Sequence, residues 1–560
     1  MAWYDEAIFY HIYPLGLLGA PKKNDYSGVT HRLPKLDPWI DHIKNIGCNA
    51  IYIGPLCESE GHGYETTDYR KLDSRLGDND DLKKFVKNCH KAGVRVIFDG
   101  VFNHTGRTFF AFQDLMEHRE GSRYRDWYCN VNFYGNNEYN DGFSYDNWGG
   151  YNLLVKLNQR NPEVRDYICD VIRFWVKEFD IDGIRLDAAD VLDFDFMKAL
   201  RAVANEVKPD FWLMGEVIHG DYTRWVNAGT LHSVTNYNLH KALYSGHNDH
   251  NYFEIAHTVK RLYDMGGSRP DGLKLYNFAD NHDVERIYTR LNNKAHITPV
   301  HILLYTLPGI PSIYYGSEFG IEGRKEKHSD DSLRPALDIN DYKKAVKENP
   351  ITALIARLGM ARQQTPALSY GDYNQIVLTT RQYAFSRTMG SDQCLIAVNN
   401  DDNPYSMSLP AHGGDTYIGL LSGNKVSVQD GHINVTIEAN SGDIWVPEGS
   451  VGKAKLDRFD KGIKAPAPKK SGKEVIAKKD EASAKATDAA PASPANKQAS
   501  SDSAAPSDNA SPSYEDGIIK GLQEAILARM EKNGPVTDQM RRDVENNVYH
   551  DSLINWIKSF

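Results

Sequence analysis

Over the first 355 or so residues, short apolar runs alternate with stretches whose apolar positions recur at helical spacing. "IFYHIYP" is followed by "LDPWIDHIKNIG" and then "CNAIYIGPL"; "DDLKKFVKNCHKAG" leads into "VRVIFDGVF", and "NPEVRDYICDVIRFWVKEF" into "DIDGIRLDAA". "FDFMKALRAVANEV" precedes "FWLMGEV", and later come "SVTNYNL", "YNFADNHD" and "GIPSIYYGSEFG". These make eight candidate strands with helices between most of them, the pattern of a parallel sheet closed by crossover helices. The predicted fold class is therefore α/β, a (β/α)8 TIM barrel over residues 1–358. One connection is too long for a simple crossover. More than fifty residues, rich in Tyr, Asn, Gly and Trp, separate "VFNH" from "NPEVRDY", which predicts an inserted domain over 104–155 after the third strand.

Beyond about residue 359 the period changes to two. "QIVLTTRQYAFSRTM", "CLIAVNN", "YIGLL", "INVTIEA" and "GDIWVP" predict a β-sandwich over 359–450. Residues 451–512 are mostly Ala, Ser, Pro, Lys and Asp, a composition with too little apolar surface to offset ordering entropy, so a disordered linker is expected. Helical periodicity returns over 513–560, where Ile518, Ile519, Leu522, Ile526 and Met530 form one stripe. So short a stripe has too little core to fold alone, and association with a protein partner or with a second copy is expected of it.

Composition narrows the field. The net charge of -10 argues against nucleic-acid partners and anionic membranes. No stretch reaches the roughly 18 apolar residues of a membrane span, and "MAWYDEAIFYHIYP" has neither the basic start nor the long apolar run of a signal peptide. The six cysteines are scattered singly, without a CxxC pair, and a cytoplasmic location is expected.

The chemistry lies at the strand ends, where barrels collect function. In "DGIRLDAAD", Ile184, Leu186 and Ala188 alternate with Arg185, Asp187 and Ala189, so one strand face carries a guanidinium beside a carboxylate. Alone, that is equally a structural ion pair. But the third strand ends in Asp99, Asn103 and His104, the fifth in Glu216 and the seventh in His282 and Asp283, and "GHGYETTDY" brings His62, Tyr64 and Asp68 near the second. Carboxylates gathered at one mouth repel one another and split their pKa values, a cost retained where it is used. Two carboxylates flanking an acetal carbon are what glycoside hydrolysis requires. A metal-hydrolase reading lacks HExxH and H-x-H, and there is no GxSxG elbow, dinucleotide-binding glycine loop or P-loop.

"DGVFNH", "GIRLDAAD", "GEV" and "FADNHD", in that order, resemble the four signature regions of the α-amylase family, glycoside hydrolase family 13. The resemblance covers roughly residues 1–447 and implies that Asp187 is the nucleophile, Glu216 the general acid/base and Asp283 the carboxylate that binds sugar hydroxyls. It implies that Tyr64, Asp99, His104, Arg185 and His282 surround the sugar whose bond breaks. Arg185 would keep Asp187 ionised, and Glu216 would need a raised pKa. Retention of configuration would place the two carboxyl groups roughly 5–5.5 Å apart. "LLVKLNQRNP" and "GEVIHG", with His219, are similar to stretches of the neopullulanases, cyclomaltodextrinases and maltogenic amylases. They favour short α-1,4-glucans and cyclodextrins, with tolerance of α-1,6 bonds, as substrate.

That group carries a further β domain before the barrel; here the barrel begins near Met1, so an open site and a monomer are expected. Asp190 stands where many α-amylases have Lys followed by His. Phe133, Tyr134, Tyr139, Phe143, Tyr145 and Trp148 of the insertion are candidates for stacking on sugars or for a local core. Asn103 resembles a family calcium ligand, making structural calcium a candidate, although the chemistry itself needs no cofactor. Two alternatives stay open: a transglycosylase or isomerising enzyme using the same covalent intermediate, and a non-catalytic carbohydrate-binding scaffold.

Overall fold

The computed structural model describes residues 2–267, 272–327 and 329–450. The linker and helical segment expected over 451–560, and any partner they bind, lie outside the described residues.

Eight parallel strands form the catalytic unit: β1 (Phe9–Ile12), β2 (Ala50–Ile53), β3 (Arg95–Gly100), β4 (Gly183–Leu186), β5 (Trp212–Gly215), β6 (Ser233–Val234), β7 (Tyr276–Phe278) and β8 (Ile310–Tyr314). Their hydrogen-bonded order is β6-β5-β4-β3-β2-β1-β8-β7, and a parallel bridge between Thr235 and Tyr276 joins the two end strands into a barrel. Alternation sorts the side chains. Phe9, Ala50, Tyr52, Ile97, Trp212, Met214, Tyr276 and Phe278 fill the interior. Their neighbours Ile8, Tyr10, Ile51, Val96, Phe98, Ile184 and Leu213 pack outward among the helices. Because both faces are buried, the strands read as nearly continuous apolar runs.

The surrounding helices begin at legible caps. Asn161 accepts from the Glu163 N–H at the start of Pro162–Phe179, Asp78 caps Asn79–Lys91 with its own carboxylate, and Asn349 caps Pro350–Gln364. Two expectations need correction. The boundary at 358/359 falls inside Pro350–Gln364, whose apolar positions continue through Ala361. "SVTNYNL" is a strand only at Ser233–Val234, because the Asn236 side chain accepts from the Leu239 N–H and starts the helix Tyr237–Asn248.

The insertion after β3 is built on a three-stranded sheet of His104–Thr105, Tyr151–Lys156 and Asn147–Trp148, with the middle strand pairing both others. Its sheet runs to Lys156, one residue past the expected limit. A hairpin of Cys57–Ser59 and Thr66–Leu72, not expected, rises after β2.

After the barrel, a six-stranded antiparallel sheet and a two-stranded one, Tyr405–Pro410 with His432–Ile437, form the sandwich. Leu395, Ala397 and Trp445 face the small sheet's Leu409, Ile433 and Val435, while Tyr383, Phe385, Ile396, Val398 and Ile444 join the core of the barrel's outer layer. The large sheet is thus buried on both faces, which explains the unbroken "CLIAV".

Candidate active site

Strand alternation explains why Arg185 and Asp187 stand together. Ile184 and Leu186 point to the helices, and Arg185 points into the barrel, where it is buried. One Arg185 nitrogen donates to Asp99 at 2.8 Å and to Asp187 at 2.9 Å. Its other terminal nitrogen lies 2.7 Å from Glu216. A single guanidinium therefore ties together carboxylates from the ends of β3, β4 and β5, three neighbouring strands. The Ala188 N–H also donates to Glu216 Oε2 at 3.1 Å, while the Tyr237 hydroxyl lies 3.3 Å from Glu216 Oε1. Asn281 donates to the same Tyr237 oxygen at 3.2 Å, leaving the Tyr237 proton free to point at Glu216.

Asp283 sits opposite, 2.9 Å from Arg334 and 3.0 Å from His282 Nε2. The Tyr64 hydroxyl bonds His282 and lies 3.2 Å from Asp99, and the Tyr64 and His282 rings are stacked at 5.7 Å. Tyr13 stacks against His282 from another side, and Arg334 lies over the Tyr13 ring at 4.6 Å. Tyr52 donates to Asp99 at 2.8 Å. His104 is buried next to Asn103, and its Nε2 has no hydrogen-bond partner in the protein.

Burial pushes the Glu216 carboxyl up, and Arg185 opposes it. Burial also raises Asp187; Arg185 lowers it, but Glu216 and Asp99 push it back up. Arg185 thus favours the ionised form of Asp187, while burial and the neighbouring carboxylates favour uptake of a proton by the site. Burial lowers His282 well below its usual range and His104 to about 3, so both imidazoles are neutral and suited to hydroxyl groups.

The structure brings together Tyr64, Asp99, His104, Arg185, Asp187, Glu216, His282 and Asp283. His219 is exposed, three residues after Glu216 and near Asp190. Asp68 is also exposed and caps the Arg70 N–H. Asn103 is buried just beyond β3; its carboxamide oxygen accepts from Gln159 at 3.3 Å and its amide faces His104. Among the described residues, His31, Asp78 and Asp81 form the one cluster of three His, Cys, Asp or Glu donors. Sequence reading missed Tyr13, Tyr52, Tyr237 and Arg334. Tyr13 directly follows β1 and Tyr237 follows β6, so strand-end position could have found both, whereas Arg334 lies in a loop far beyond β8 with no such signal. A polar cavity of about 620 Å³, lined by Arg125, Asn130, Asp146, Lys156, Arg160 and Asp193 among others, contains none of these carboxylates.

A (β/α)8 barrel with an insertion after β3 and carboxylates from β4 and β5 sharing one arginine is the architecture of a glycosidase that works through paired acids. Residues 21–365 match the α-amylase catalytic domain and residues 373–445 the neopullulanase-like C-terminal domain, and the chain belongs to the α-amylase family of glycoside hydrolases. A cyclomaltodextrinase from Bacillus sp. is 31% identical over 427 residues, 71% of this chain and 74% of the relative. A solved cyclomaltodextrinase shares 26% identity and a TM-score of 0.70, covering 79% of this chain and 78% of that one. The acarbose-soaked debranching enzyme of Nostoc punctiforme shares 26% identity and a TM-score of 0.67 over 79% of this chain and 98% of its own.

Proposed function

We propose that the protein is a retaining hydrolase of α-1,4-glucosidic bonds in short maltodextrins and cyclodextrins, with activity on α-1,6 bonds as well. The observation that carries this reading is the Arg185 guanidinium holding Asp187 and Glu216 on separate nitrogens, which sets two carboxyls of unequal surroundings at one mouth. Asp187 attacks the anomeric carbon as the protonated Glu216 gives its proton to the leaving oxygen, forming a covalent glycosyl ester. Glu216, now a carboxylate, takes a proton from water, whose oxygen displaces Asp187 and restores the original configuration. Asp283, held by Arg334, accepts hydrogen bonds from the sugar's hydroxyls, and the neutral His104 and His282 complete their recognition. The cyclomaltodextrinase and debranching-enzyme likenesses support the substrate range. Six unpaired cysteines support a cytoplasmic location.

Chromatography of products from maltotriose, β-cyclodextrin, pullulan and starch, with NMR of the newly released anomer, tests the reading. Release of α-anomers from the first two substrates is expected; β-anomers would contradict a covalent intermediate on Asp187. The chemistry described uses no metal. Incubation with EDTA followed by desalting should therefore leave kcat on maltotriose unchanged, and a loss restored by calcium would contradict that.

A further inference from the structure

In the insertion, Trp148, Gly149, Gly150 and Tyr151 form a two-residue hairpin turn, Trp148 opposite Tyr151. Gly149 and Gly150 have φ of +63° and +86°, the left-handed backbone that a turn matching strand twist demands and that side chains resist. Trp148 and Tyr151 are paired across the turn, with the Tyr151 ring beside Gly149. Both are exposed, at 40% and 64%, although a large ring normally gains by burial. The aromatic neighbours behind them, Phe143 and Tyr145, are buried and account for the insertion's core. Trp148 and Tyr151 add nothing to it.

Their position gives them a use. The Trp148 ring centre lies 6.1 Å from that of His104, the buried imidazole whose Nε2 has no partner in the protein. His104 also lies against the backbone of Tyr64, whose ring stacks on His282 beside Asp283. Contacts thus run outward from Asp283 through His282, Tyr64 and His104 to Trp148. The exposed indole beside His104 offers the flat apolar surface that fits the C–H face of a pyranose.

We propose that Trp148 is a stacking platform for a glucosyl unit of the α-glucan chain, and so determines how tightly oligosaccharides are held at the mouth. The proposal rests on the α-glucan hydrolase reading and adds a binding residue to it.

Replacing Trp148 by Ala should raise KM for maltotriose about tenfold, the loss of one stacking contact, with kcat lowered less than about threefold. Trp148→Phe, which keeps an aromatic face, should restore most of the affinity. Tyr134, a fully exposed ring elsewhere on the insertion, is the control, and Tyr134→Ala should leave KM at the wild-type value. Titration calorimetry with maltotriose in the Asp187→Asn background reads the platform without turnover; there Trp148→Ala should weaken binding by the same factor. Wild-type KM and wild-type calorimetric affinity in Trp148→Ala would overturn the platform. So would equal losses in Trp148→Ala and Trp148→Phe, which would mark a packing role. Failure of the wild-type enzyme to turn over any α-glucan would instead overturn the hydrolase reading, with the calorimetric arm still deciding whether Trp148 binds sugar.

Discussion

Arg185 meets more negative charge than it can neutralise. Asp99, Asp187 and Glu216 all contact it, and its burial prevents water from screening the remainder. That excess keeps a proton in the site and allows one carboxyl to act as acid beside another that attacks. Replacing Glu216 by Gln removes the acid and leaves the nucleophile. Hydrolysis of maltotriose should fall by about a thousandfold or more, whereas an α-glucosyl fluoride, whose leaving group needs little protonation, should lose much less in the first step. Equal losses on both substrates would show that Glu216 has another role. Tyr237 allows a finer test. Its hydroxyl donates to Glu216 Oε1, and a hydrogen bond to a carboxylate favours the charged form and lowers the pKa. In Tyr237→Phe the Glu216 pKa should rise, so the alkaline limb of kcat/KM should move to higher pH. A shift to lower pH would place the Tyr237 proton elsewhere.

At the scale of elements, the barrel strands were legible because interior and exterior faces are both apolar, and the helices because their caps are written in Asn161, Asp78 and Asn349. Three of the carboxylates were legible for a related reason: Asp99 lies at the end of β3, and Asp187 and Glu216 directly follow β4 and β5, so strand direction sends them to the mouth, whereas Asp283 comes five residues after β7. What escaped has a physical cause. The hairpin after β2 has polar residues on its outward face and a register broken by bulges, so "CESEGHGYETTDYRKL" shows no clean alternation. β6 is two residues long, and the helix signal of Asn236 overlaps its apolar run. Arg334 reaches Asp283 from a loop, and loops have no period to read. The caps make a prediction of their own. Asn161→Ala removes the acceptor for the Glu163 N–H at the start of Pro162–Phe179, which should cost about 1 kcal/mol and lower Tm by roughly 1–2 °C. The helix lies on the outside of the barrel, so KM and kcat should not change; a change in either would mean the helix start reports to the site.

Across the whole molecule, several histidines are buried where the barrel's outer layer meets its surroundings. His247 and His250 both lie against His296, with ring centres 5.5 and 5.2 Å from it, and His250 bonds Arg381 and Asn400 of the sandwich. His301 sits fully buried in Ile297–Thr306, donating from Nδ1 to the Ile297 carbonyl at 2.8 Å. Burial pushes His247 down to about 3 and His296 and His301 to about 4. In the unfolded chain each titrates near 6.5. Between about pH 6.5 and 4 the unfolded state therefore binds protons that the folded state refuses, so stability is complete above that window and is lost as the pH falls through it. Each such imidazole contributes about 1.4 kcal/mol per pH unit within the window. Asp187 and Glu216, with raised pKa values, act in the opposite direction, so the histidines must be separated from them by substitution. Tm should fall between pH 7 and pH 5 in the wild type. His301→Gln keeps a donor for the Ile297 carbonyl and cannot take up a proton; its Tm should fall less over the same interval, and its kcat at pH 7 should match the wild type because His301 lies outside the catalytic mouth. The same pH dependence in both proteins would show that His301 is protonated in the folded state as readily as in the unfolded chain.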